Sequence, residues 1–176
     1  HSSDCLSEKE HILNIILNKN TLETIFNSKN ISSSKIDSYL DSYCKTLNKY
    51  NIKKNDACIV GSTILDVLDL RDTTDIDFCL SKENRKKCGF DASPKNIGDG
   101  VDIVSQNESY HNKHRIGIFY NFVVSDFSLI NNPEYFTLYR GFKVCSLKII
   151  YDVKASLKRE KDLKDIILMN NYFKII

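Results

Sequence analysis

The sequence predicts an α+β domain whose mixed, mainly antiparallel sheet is flanked by helices. Three observations carry that reading. Residues 57–60 (ACIV) form an uninterrupted apolar run of strand length, Gly61-Ser62 breaks it, and Ile64, Leu65, Val67, Leu68 and Leu70 follow at helical spacing. Asp75-Ile76-Asp77-Phe78 then alternates, which sends both carboxylates to one face of a strand and Ile76 and Phe78 to the other. Residues 116–130 (IGIFYNFVVSDFSLI) and 135–145 (YFTLYRGFKVC) are rich in aromatic and β-branched side chains, the composition of further strands.

In chain order, Ser7 and Glu10 form a capping box ahead of Ile12, Leu13, Ile15 and Ile16, the apolar stripe of a first helix. A short second helix runs through Leu22 to Phe26. Ser34 caps a longer one, where Ile36, Tyr39, Leu40, Tyr43, Cys44, Leu47 and Tyr50 recur on one face. Its tyrosines read as packing against the sheet rather than as platforms for bases. After Leu80 the polar stretch 81–100, with Lys82, Arg85, Lys86 and Lys87, reads as a solvated loop, with contact to a phosphate as the alternative. Residues 100–105 (GVDIVS) are a strand candidate carrying Asp102. His111 and His114 lack a further soft ligand nearby and read as a polar face, not a zinc site. Arg140-Gly141 marks a hairpin turn, and Ser146 caps a helix whose continuation is studded with Lys and Arg.

The chain of 176 residues suffices for one domain with a real core. Residues 1–54 are expected to supply supporting helices and 55–176 the core, together forming one compact unit. A net charge of +2, with basic residues spread along the chain, argues against a nucleic-acid-coating protein. The six cysteines show no C-x-x-C spacing and read as reduced thiols, and no apolar run reaches membrane-spanning length. With no secretory signal in view, the expected location is the cytoplasm.

The chemistry is concentrated between residues 61 and 77. Two acids on one face repel each other and resist desolvation, so a fold keeps them most readily where a hard divalent cation, Mg²⁺ or Mn²⁺, neutralises them. The turn at Gly61-Ser62 opens a helix, and helix starts offer N–H groups to phosphates. Either feature alone is more often a plain turn or a solvated strand face. Their order, with twelve residues between Ser62 and Asp75, strengthens the joint reading.

The stretch GSTILDVLDLRDTTDIDF resembles the signature of the nucleotidyltransferase superfamily related to DNA polymerase beta, where Gly-Ser opens a helix and Asp-x-Asp follows on the next strand. The tail GFKVCSLKIIYDVKASLKREKDLKDI is similar to the Lys- and Arg-rich segment, R-x-K-D-x-x-D-I, that many bacterial members carry after the catalytic sheet. Together the motifs cover about a quarter of the chain. The resemblance extends to domains of polysaccharide-assembly proteins and to the LicD and fukutin group.

It implies a nucleotidyltransferase-type sheet with Asp75 and Asp77 as metal-binding and catalytic acids. Gly61 and Ser62 would bind the donor's phosphates, and Lys154 and Lys161 would neutralise phosphate charge. Asp162 would hold one of these cations in place. A third carboxylate is expected from a neighbouring strand, to bind metal and to act as base toward an attacking hydroxyl. Asp126, within the 116–130 region, is the first choice and Asp102 its rival. The implied reaction is nucleotidyl or phosphoryl transfer from a nucleotide donor, an NTP or a CDP-linked compound, to a hydroxyl acceptor, a sugar or glycan. Two alternatives stand beside it: LicD-like transfer of a phospho-alcohol from a CDP-linked donor, and an inactive binding or regulatory module on the same fold. The basic helix ends this sequence, whereas larger polymerases follow it with a further helical domain.

Overall fold

The computed structural model describes residues 9, 12–13, 16–27, 34–89, 95–96, 101–103 and 126–174. Two helices come first, α1 (Lys19–Asn27) and α2 (Ser34–Lys49), and a 3₁₀ turn at Lys54–Asp56 leads into β1 (Ala57–Val60). The five-residue α3 (Thr63–Val67), β2 (Ile76–Leu80), α4 (Lys82–Lys87), β3 (Lys95–Asn96) and β4 (Val101–Ile103) follow. The chain then forms α5 (Asp126–Asn131), a hairpin of β5 (Phe136–Tyr139) and β6 (Phe142–Cys145), α6 (Leu147–Leu157) and α7 (Glu160–Phe173).

The described strands join one mixed sheet in the order β3-β4-β2-β1-β6-β5, in which β1, β2, β5 and β6 carry four or five residues each. β1 pairs antiparallel with β2 and parallel with β6, while β2 pairs parallel with β4. The fold is therefore α+β, with a mixed sheet flanked by helices. β1 sits mid-sheet, and every one of its residues is buried, as its unbroken apolar run requires. At the β5–β6 hairpin, Arg140 and Gly141 both have positive φ, the backbone that a two-residue turn needs to match strand twist.

The apolar stripe of α2 docks on this sheet through Ile36, Leu40, Tyr43 and Leu47, all buried. Tyr43 meets Phe78 edge-on at 5.0 Å between centroids and Phe142 at 5.4 Å. Burial pushes its hydroxyl well above the ordinary tyrosine value. The five described cysteines, Cys44, Cys58, Cys79, Cys88 and Cys145, are free thiols. Among the described residues no helix is long and apolar enough to cross a membrane.

Three expectations are corrected. Asp126 opens helix α5 and does not lie in a strand. Leu129 and Ile130 are buried while Phe127 is exposed, a spacing that suits a helical face, and Asn131 Nδ2 donates to Phe127 O at 2.8 Å across one turn. The basic stretch after Leu80 is likewise a helix, α4. The Ser81 side chain caps it by accepting the Asn84 N–H, and a Glu83–Lys87 pair at i,i+4 supports it. Its Arg85 is buried and donates to Leu80 O at 2.8 Å, at the opposite end of β2 from Asp75 and Asp77. The basic tail divides into two helices, because Lys158 adopts a left-handed conformation (φ 52°) that ends α6. Most of the expected first helix lies outside the described residues, although Lys9, Ile12, Leu13 and Ile16 are helical. His111, His114 and residues 116–125 also lie outside them.

Candidate functional site

The antiparallel register of β1 and β2 sets Val60 opposite Asp77, so the chain leaving β1 turns directly beside the acid pair. Gly61 makes that turn with φ +70°, a conformation that L side chains resist. The missing side chain matters as much as the torsion. A Cβ built at Gly61 would lie 2.8 Å from Asp77 Oδ2, closer than real Cβ atoms approach. Glycine therefore keeps open the space that the Asp77 carboxylate occupies.

Asp75 directly precedes β2 and Asp77 is its second residue; both are half-buried. A cleft of about 550 Å³ lies against them, and Gly61, Ser62, Asp75, Asp77, Lys154 and Lys161 all line it. Residues taken from a turn, a strand and two C-terminal helices thus converge on one space. Since α3 spans only five residues, the turn's own N–H groups, rather than a long helix dipole, are what this end can offer an anion. Ser62 makes no side-chain capping bond to α3.

The cationic wall is built by α6 and α7. Lys154 is buried and pairs with Asp165 at 2.7 Å and with Asp162 at 3.3 Å. Arg71, from the loop before Asp75, donates Nε and one terminal nitrogen to the two oxygens of Asp165 at 2.6 and 2.9 Å. Arg159 grips Asp162 with its guanidinium, and its N–H also donates to Asp162 Oδ2. The result is a ladder running Arg71, Asp165, Lys154, Asp162, Arg159. Burial raises both carboxyls, but the cations outweigh it and hold Asp162 and Asp165 below the ordinary aspartate range. The hydrogen bond to Asp165 raises Arg71 in turn. Lys161 is exposed at the cleft, while Lys164, also lining it, pairs with Glu160.

No family model, curated protein or solved structure matches the chain.

Chemistry at the site rests accordingly on its own geometry. Two carboxylates facing a cleft, one beside a turn kept bare by glycine, are an oxygen donor set suited to a hard divalent cation. Among the described residues no group of three or more His, Cys, Asp or Glu side chains could hold a metal ion, so further ligands would have to come from a substrate or from outside that set. The register bears on the third acid: β4 pairs with β2 so that Asp102 stands opposite Asp77. Asp126 begins α5, whose other end is held through Ile130 O by Lys143 Nζ, which also donates to Asn55 O ahead of β1.

The motifs located Gly61, Ser62, Asp75, Asp77, Lys154 and Lys161 but missed Arg71 as a wall residue. Asp165 likewise belongs to this wall, where it reaches Arg71 and Lys154. The signal available was the lone Arg71 in the run LRDTTD, an unusual place for a cation among acids.

Proposed function

We propose that this cleft performs metal-assisted nucleotidyl or phosphoryl transfer from a nucleotide donor to a hydroxyl acceptor. The supporting observation is the close approach of the Asp77 carboxylate to Gly61, with the turn and the carboxylate pair lining one cleft. Asp75 and Asp77 would hold Mg²⁺ or Mn²⁺, with the donor's phosphate oxygens as further ligands. The cation supplies charge neutralisation at phosphorus.

Gly61 and Ser62 receive the donor's phosphates through the turn's backbone and the serine hydroxyl. Lys161 meets the outer phosphate oxygens, and the fixed ammonium of Lys154 contributes positive potential from the cleft wall. A third carboxylate, Asp126 or Asp102, would accept the proton of the attacking hydroxyl. A sugar or glycan acceptor, and either an NTP or a CDP-linked donor, follow from the resemblance of the two motifs.

Thermal unfolding with Mn²⁺ and a panel of NTPs and CDP-alcohols tests the reading. A ligand at a hundred times its Kd should raise Tm by roughly 5–10 °C only when metal and nucleotide are both present. Asp77→Asn should abolish that shift and turnover together. Nucleotide stabilisation that ignores both metal and Asp77→Asn would reject catalysis in favour of a binding module.

A further inference from the structure

Asp66 is a buried carboxylate within α3, 4% exposed, and is not among the side chains lining the cleft. Burying such a group is costly unless it accepts hydrogen bonds. Its Oδ2 accepts the N–H of Thr73 at 2.7 Å, and Thr73 is itself fully buried. Thr73 passes the constraint along the chain, because its hydroxyl donates to the carbonyl of Asp75 at 2.8 Å. Between these residues the backbone has no regular structure, and Asp69 takes a positive φ of 55°. A segment of that kind has many alternative conformations to lose. Leu70 N–H bonds back to Leu65 O at 2.8 Å, so the loop is pinned at its start by α3 and near its end by the Asp66–Thr73 bond.

We propose that Asp66 is the positioning residue of the acid pair, fixing the backbone of Asp75 through Thr73 so that Asp75 and Asp77 enter the cleft in one geometry. Its functional meaning rests on the cation-binding reading above; the mechanical claim does not. Asp66 acts as a hydrogen-bond acceptor and not as a ligand, since it is buried and does not line the cleft. An asparagine, which keeps one acceptor oxygen, should therefore substitute for it.

Three full-length variants, Asp66→Ala, Asp66→Asn and Thr73→Val, test this by amide hydrogen exchange across residues 69–77 without metal and by Mn²⁺ titration. Asp66→Ala and Thr73→Val should each speed exchange in that segment about tenfold and weaken Mn²⁺ binding by a similar factor, the loss expected for one hydrogen bond to an ordered group. Exchange in β1 should stay slow, and Asp66→Asn should resemble wild type in both measurements. If Asp66→Ala does not fold, Thr73→Val and Asp66→Asn still decide the question. Unchanged exchange in Thr73→Val, or an Asp66→Asn variant with the segment loosened, overturns the proposal. A wild-type protein that takes up no Mn²⁺ would remove the transfer reading, while the exchange data would still decide whether Asp66 positions the segment.

Discussion

Gly61 shows how one residue ties backbone to chemistry. Its φ of +70° alone would cost a side chain about 1–2 kcal/mol, and the approach to Asp77 Oδ2 adds a collision on top of that strain. Gly61→Ala should therefore lower stability by roughly 2 kcal/mol in urea unfolding and weaken Mn²⁺ binding, because relief of the clash moves Asp77. Gly141→Ala offers the control. It also carries a positive φ, yet nothing lies within 4 Å of its would-be Cβ, so it should lose stability and leave metal binding intact. A glycine in a sequence announces a turn, but it does not announce which neighbour the absent methyl makes room for. That second meaning emerged only from the register of Val60 with Asp77.

At the level of elements, α7 is held by ions as well as by an apolar face, where Met169 is fully buried and Ile166 and Tyr172 pack against the core. Leu163 and Ile167 are exposed, whereas Asp162 and Asp165 are buried and carry the ladder to Lys154, Arg159 and Arg71. Both carboxyls titrate below their ordinary value in the folded chain. The stability they contribute is fully present above the unfolded value of about 3.9 and is lost as pH falls below it through the depressed folded values. Unfolding free energy should thus drop steeply on acidification below about pH 4, and Asp165→Asn should flatten that limb. Asp165→Ala, which leaves Lys154 and Arg71 without their shared partner, should cost roughly 3 kcal/mol near neutral pH in denaturant titrations. The central strands, the turn, α2 and the hairpin were readable from periodicity because burial enforces it on both sides of a sheet. Asp126 was misread because FSLI following an acid fits a strand and a helix equally over so few residues, and only packing of Leu129 and Ile130 selects the helix. The split at Lys158 was equally hidden, since lysine carries no sequence signal for a left-handed cap.

Seen as a whole, the molecule keeps Cys58, Cys79 and Cys145 buried within the central strands β1, β2 and β6, with Cys58 directly opposite Cys79. Burial raises the thiols of Cys58 and Cys145 above their usual value, so little reactive thiolate is present. Pulsed alkylation followed by mass spectrometry should label Cys44 and Cys88 before Cys58, Cys79 and Cys145, which are modified together only as the whole fold opens; early labelling of Cys145 alone would contradict a single cooperative core. The far margin of the sheet is managed differently. Among the described residues β5 has β6 on one side only, and on the other its main chain is met by α1 and the residue ahead of it: Asn18 donates to Phe136 O at 2.9 Å, and the Thr21 hydroxyl accepts from Leu138 N–H at 2.9 Å. Side-chain amide and hydroxyl groups thereby serve there in the place of a neighbouring strand. A protein shortened to begin at Ser34 would bare this row of donors and acceptors to other copies, turning a sealed border into a template for self-association.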